Sequence, residues 1–476
     1  MRRSVFIVYL FLMTEICSAQ WYGYHFEDNT ELDAGMGVTW IGDQIYYAMG
    51  FQPDIRVGNL GIGLGIIILF NSNTGKIRSR DWNSVYDLAR IIRYIRYGYD
   101  GDPVYSRLGV LDRERIGHGF ILNYYNNQIY YDERKIGMSV DLNFRRFGFE
   151  SITNNLGRLE VVGGRGYVRP FYFFKNSILE GIGIGATCVA DFDPDSRTRT
   201  DSRVVVWGLD AELSLIESEL LRGLLYADYA KIENHGSGQC VGFRTEFNGP
   251  FDFLRLTISV ERRLLGREFL PSYFGPFYEI LRWTTLAELW EYYEYMGGSS
   301  SDEMVFGLKK YYSFRRYDVS LLPDDFEGFI ALVGSWPASK ELLLSVLDKR
   351  RCGWYADLSF DFLNLIRLSG SFQIIDGNSS SGILHVSAEL SSSVPFVTME
   401  ATYDKRGISK FGDIGRLDYM SFARIGAGCR ITPYLLLYLD YIWYYDWDAD
   451  LGKAGAYVPR ERLMPRLALR HRFNGF

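Results

Sequence analysis

The feature that most constrains this chain is a two-residue alternation of apolar and polar side chains, renewed in segment after segment. Trp354, Ala356, Leu358, Phe360 and Phe362 interleave with Tyr355, Asp357, Ser359 and Asp361. Val205, Trp207, Leu209, Ala211 and Leu213 interleave with Val206, Gly208, Asp210 and Glu212. The same pattern carries Arg255 between Leu254 and Leu256, Arg367 between Ile366 and Leu368, Glu389 between Ala388 and Leu390, and Asp141 between Val140 and Leu142. Successive strand side chains point to opposite faces, so each segment is a strand with one apolar and one polar, often charged, face. The class is all-β. A period of two excludes a long coiled coil, and 47 % apolar with 23 % charged residues excludes disorder. A helical membrane protein needs spans of ~20 apolar residues, and the longest uncharged apolar run past the N-terminus is Leu60–Phe70.

A soluble sandwich buries the apolar face between two sheets. A transmembrane barrel turns it to lipid and encloses the polar one. Three features favour the barrel. Residues 1–19 read as a cleaved secretory signal, with basic Arg2 and Arg3, apolar Val5–Met13, and small residues Cys17-Ser18-Ala19 before Gln20. The strands approach the ~10 residues that cross a bilayer at a tilt. Aromatics crowd the strand ends, as at Tyr46-Tyr47, Tyr124-Tyr125, Tyr130-Tyr131, Tyr311-Tyr312 and Tyr441–Trp447. The expectation is one antiparallel barrel over 20–476 of about eighteen strands, within roughly fourteen to twenty, the number being even. The formal charge of −6 argues against nucleic acid as a partner. Cys188 and Cys429 sit in alternating apolar rows, and with Cys240 and Cys352 show no CxxC spacing, so neither zinc nor a disulfide framework is expected.

The chain ends Arg466-Leu-Ala-Leu-Arg-His-Arg-Phe-Asn-Gly-Phe476. This resembles the last strand of Gram-negative outer-membrane proteins, which closes on a terminal aromatic read by the barrel-assembly machinery. The chain also resembles porin-like barrels of Bacteroidota-type bacteria that have no assigned activity. One departure is that Leu467, Leu469 and Phe473 share one parity and Phe476 has the other. The resemblance implies an outer-membrane location, with lipid and the assembly machinery as partners.

Some stretches abandon the alternation. Over 81–97, Val85, Leu88, Ile92 and Ile95 recur at helical spacing before Gly98, with Arg90, Arg93 and Arg96 on the other side. A second helix is marked by Thr285 and Glu288 at capping-box spacing and by Gly297, and its polar side carries Glu288, Glu291 and Glu294. A third is expected from Pro337 through Leu342–Leu344 to Arg350. The arginine and glutamate triads share one spacing. Either the first two helices pair or gate the barrel mouth, or each is an independent amphipathic helix with ordinary solvated charges. The region from about 264 to 351 is expected to leave the barrel, as a long loop over the pore or a plug.

No HExxH, GxSxG, P-loop or dinucleotide fingerprint occurs among the five scattered histidines, and no cofactor or catalytic residue is expected. His118, between Gly117 and Gly119, reads as structural. Asp191, Asp193, Asp195 and Asp201 give a calcium-like spacing, but Pro194 intrudes and Ser196 stands at the turn-glycine position, so a solvated turn is the better reading. The expected lumen carries acids Asp141, Asp210, Glu212, Asp357, Asp361, Glu389 and Glu400, and bases Arg255, Arg367, Arg424, Arg466, Arg470 and Arg472. This is either a generic wet lining or an arginine wall facing an acidic one across a constriction. The functional expectation is a porin-like channel for small solutes. Its rivals are a blocked structural or assembly barrel with a protein partner, and a fatty-acid-channel-like transporter, whose Asn-Pro-Ala plug element is missing from the short Gln20–Gly35 segment.

Overall fold

A computed structural model of the chain describes residues 30–472, apart from stretches of which 84–87, 130–134, 195–202, 287–304, 310–319, 377–380 and 449–455 are the longest. The signal-like segment and Phe476 lie outside the described residues. Twenty-one strands form one antiparallel sheet. It closes because the first strand, Glu31–Ile41, pairs with both its neighbour Gln44–Val57 and the last strand, Ala456–Arg472. Leu60–Leu64 and Ile66–Asn71 both pair with Gln44–Val57 in continuous register and are halves of one stave interrupted at Gly65. The barrel therefore has twenty staves, at the top of the expected range and two above the central expectation.

The wall is an inverted globule. Leu209, Val241 and Leu467 are about half exposed on its outer face, whereas their neighbours on the inner face, Asp210, Asp357, Arg466 and Arg470, are buried. A continuous apolar band of this extent exceeds the few hundred Å² that soluble proteins tolerate. It is a lipid-facing surface, and the sandwich alternative is excluded by the closure. Cys188 and Cys429 lie exposed on the outside, and all four described cysteines are free thiols.

The connections differ sharply between the two ends. One end carries 72–91, 110–136, 192–203, 266–350 and 409–420. The other carries tight turns such as 58–59, 144–146, 218–220 and 363–365, together with both ends of the described chain.

The helix expected over 81–97 is not formed at its C-terminal end: Ile92–Tyr97 is a barrel strand between Leu60–Leu64 and Val104–Gly109. The reason is a β-bulge. Ile92 faces Leu64, Tyr94 faces Gly63 and Ile95 faces Ile62, so Arg93 is an extra residue that shifts the parity of the strand. Ile92 and Ile95 thereby share the lipid face at a spacing of three, which imitates a helix. Arg93 bonds to Asp54 and to the Leu64 carbonyl (3.0 Å), and Arg96 donates to the Gly98 carbonyl at 2.9 Å. They are parts of the barrel wall, not a helical face. Arg90, Glu288, Glu291 and Glu294 lie outside the described residues.

Between the strands Leu254–Leu265 and Arg351–Phe362, which pair with each other, the described residues contribute no stave. It forms short helices, Tyr278–Leu281, Phe326–Val333 and Lys340–Val346, and a two-residue ladder joining Thr284-Thr285 to Pro337-Ala338. The second helix is started by Asp325, whose carboxylate accepts the Gly328 amide.

Candidate functional site

Two connections from the long-loop end meet inside the barrel. The first, 110–136, runs between strands whose terminal residues Gly109 and Gly137 face each other in register. The second is 266–350. They join through a short parallel bridge in which the Asn123 amide donates to the Phe274 carbonyl (3.0 Å) and the Phe274 amide to that of Ile121 (3.1 Å). Phe120, Leu122, Tyr125, Phe269, Phe274, Phe277, Phe329 and Leu343 are buried in a single apolar cluster. Wall residues as far apart as Ile152, Val189, Ile375, Phe422 and Tyr445 belong to the same cluster. This cluster crosses the lumen.

Below it, the 110–136 connection is held to the wall by charge at three places. Arg113 donates to Glu389 (2.7 Å) and Ser387 (2.9 Å). Arg115 meets Asp357 at 2.6 Å, and the Tyr124 and Tyr355 hydroxyls donate to the same carboxylate oxygen at 2.5 and 2.9 Å. At the third place His118 stacks on Tyr226 with ring centroids 4.0 Å apart. Its Nδ1 lies 3.2 Å from both Asp228 oxygens and its Nε2 is 3.7 Å from Glu212. Burial alone would lower the pKa of His118, but bonds to Asp228 and Glu212 raise it to about 9, so it is a cation at neutral pH. Gly117 and Gly119, both at positive φ, make the turn that delivers it, and the Gly117 amide donates to Glu150 at 2.6 Å. Arg113 and Tyr124 also adopt positive φ (59° and 51°), a conformation a side chain resists and the clamp enforces.

A fourth network lies at the apolar cluster. Glu279 receives Lys135 (2.7 Å), Arg282 (3.0 Å), Asn154 (2.9 Å) and the Tyr125 hydroxyl. Although burial opposes ionisation, Lys135 and Arg282 hold its carboxyl far below the usual range, and they bring that of Glu160 down to about 2. Arg282 also takes Asp191, at 2.8 Å from its Nε. The Asp191 carboxylate accepts the Tyr278 hydroxyl at 2.7 Å as well. Asp191, expected in a solvated turn, is instead buried, its carboxylate engaged by a guanidinium and a hydroxyl. Asp195 is outside the described residues, and no metal-competent group of three ligands occurs among those described.

The remaining expected lumen residues are placed as follows. Asp210 is gripped by both arms of Arg165 (3.0 and 2.7 Å), and Glu212 also meets Arg169 at 3.3 Å. Arg367 pairs with Asp361 (2.9 Å), opposite which Arg255 lies across the neighbouring ladder. Arg424 approaches Glu400 at 3.9 Å. Arg466 pairs with Asp440 (2.6 Å) and Arg470 with Asp33 (2.7 Å). The acids Asp357, Glu389 and Glu212 thus meet cations of the inward connection, while the bases of the last stave meet acids on adjacent staves. Sequence reasoning missed Arg113, Arg115, Tyr124, Arg165, Asp228, Glu279 and Arg282. The available signal was the long interval between Gly109 and Gly137, which loses alternation yet remains rich in aromatics and asparagine.

No protein-family model matches the chain, and no curated protein matches it in sequence. Solved structures of similar form include CdiB from Acinetobacter baumannii, at 8 % identity and a TM-score of 0.27, covering 93 % of this chain. The chain spans 60 % of CdiB's length. Others are OccK11 (OpdR) of Pseudomonas aeruginosa, at 10 % identity, TM-score 0.28 and coverage of 96 % and 100 %, and OpdK of the same organism, solved with vanillate, at 10 %, 0.30, 94 % and 100 %. The closed sheet, its apolar, lipid-facing exterior and its polar, loop-crossed interior define the chain as an all-β antiparallel barrel of the transmembrane type.

Proposed function

We infer that the chain is an outer-membrane channel of a Gram-negative bacterium, exported by residues 1–19, whose lumen is closed at rest. It passes small solutes along the charged inner wall when the inward connections shift. The observation that carries this reading is the three-point clamp of 110–136 on Glu389, Asp357 and the Asp228–Glu212 pair. The clamp is built from ion pairs and hydrogen bonds, contacts that a charged solute or a change of pH can compete for. Short turns are periplasmic in such barrels and longer loops extracellular, so both chain ends belong in the periplasm and the clamped connections enter from outside. The C-terminal strand, ending at Phe476, is the segment offered to the assembly machinery.

A second reading, a permanently blocked scaffold, draws on the apolar cluster that fills the lumen above the clamp. Single-channel conductance of residues 20–476 in a planar bilayer separates the two, compared with a variant in which 111–135 is replaced by a short glycine turn. Gly109 and Gly137 already face each other, so the excision leaves the ladder intact. Rare, small openings in the parent and large, steady ones in the variant are expected. Silence from both, in heat-modifiable folded protein, assigns the scaffold role.

A further inference from the structure

The short-turn end carries one exception to its economy. Every other connection there is six residues or fewer, but 169–181 is much longer, and it presents its apolar side chains outward. Phe173 (67 %), Phe174 (57 %) and Ile178 (70 %) are exposed, as are Phe171 and Leu179. Its first part, 169–174, nonetheless has a defined shape. Successive turns close from the Tyr172 amide to the Arg169 carbonyl and from that of Phe174 to Phe171, and the Arg169 amide donates to the Arg146 carbonyl at 2.7 Å. The exposed Arg146 of the adjacent turn lays its guanidinium over the Phe173 ring at 4.3 Å and near that of Tyr172 at 5.5 Å. Phe144 and Phe147 extend the aromatic surface, their rings 5.2 Å apart.

We propose that 169–181 is a membrane-interface anchor, bedding its aromatic side chains in the phospholipid of the periplasmic leaflet with Arg146 at the depth of the phosphates. The argument for lipid as the occupant is continuity. Val168 and Ile184, on the two staves that the segment joins, and Phe147 and Phe149, on the stave paired with the first of them, are exposed on the outer face and belong to the lipid-facing band. The anchor therefore extends a surface that already meets acyl chains. Aromatic side chains flanked by cations suit the headgroup boundary, where rings meet hydrocarbon and guanidinium meets phosphate. The proposal rests on the membrane reading of the barrel.

A fluorescent amino acid, acridonylalanine, placed at Phe173 in the full chain and reconstituted into phosphatidylethanolamine–phosphatidylglycerol vesicles tests it, with position 174 as the substitute if 173 impairs folding. Lipids brominated near the headgroup are expected to quench this probe several-fold more than they quench the same probe at Phe411 on the opposite rim. Iodide in the aqueous phase is expected to show the reverse order. Quenching by iodide and not by lipid overturns the anchor. Protection from both also overturns it and assigns the patch to a protein surface, such as a second copy of the chain. A probe at Leu209, on the outer wall, in vesicles of lipid brominated deep in the acyl chain isolates the premise: if that lipid fails to quench it, the membrane reading itself falls.

Discussion

At the scale of single residues, the lumen is governed by where charge is neutralised. Asp357 accepts three donors, from Arg115, Tyr124 and Tyr355. Asp357→Asn removes the charge that gathers them and should loosen the clamp by about 1–3 kcal/mol. The expected readout is faster amide exchange over 113–125 with unchanged protection in the staves, and unchanged exchange at both would count against the clamp. Two buried bases respond to pH in opposite senses. His118 has its folded pKa raised to about 9, so its contribution is complete below about 6.5, its ordinary value, and is lost as pH rises through 9. Lys340, packed on the Tyr273 and Tyr278 rings, is pushed down to about 7 by burial and by Arg406. The folded state resists its protonation, so stability from this site falls as pH drops from about 10.5, its ordinary value, towards 7, and the penalty is largest below 7. Exchange corrected for its intrinsic pH dependence should therefore show 117–119 weakening and 273–281 strengthening as pH is raised above neutrality. His118→Gln should flatten the first trend and Lys340→Met the second.

At the scale of elements, alternation was legible because it is local: a strand's two faces meet two solvents regardless of its partners, and the inner and outer sets over 205–213 and of Arg351–Phe362 could be read by counting. What misled was parity. One extra residue, Arg93, turns a period of two into a spacing of three, and no local rule distinguishes that from a helix turn. Deleting Arg93 should leave Ile92, Ile95 and Tyr97 on the lipid face and yield a folded, heat-modifiable barrel. Deleting Ile95 removes the extra residue as well, setting Arg93 opposite Gly63 and Tyr94 outward opposite Ile62 with Arg96 still inward. It too should give a folded barrel by the same gel shift, and loss of folding in both deletions would count against the bulge. The clamp was illegible for a different reason. Arg113 and Arg115 find their partners more than two hundred residues away, and nothing in 110–136 marks which side of the wall it will enter.

At the scale of the whole molecule, the barrel separates two solvents, and substitutions should be felt accordingly. Leu209→Lys, on the outer face, should cost about 2–4 kcal/mol near the bilayer midplane, measured by equilibrium unfolding in vesicles. A polar substitution at the inner neighbour Gly208 would instead be opposed by the Tyr229 carbonyl, which lies only 2.6 Å from where a Cβ would sit, and so reports packing and not lipid. The seam has a consequence of its own. Because Glu31 lies opposite Arg472, the earliest strand waits for almost the last residue before its edge is satisfied. Until then the sheet has two open edges, and the aromatics later hidden in its lumen have no enclosure. Closure is thus a single event that joins the two most distant described strands: loss of the strand Ala456–Arg472 should leave an aggregation-prone ribbon in place of a slightly narrower tube.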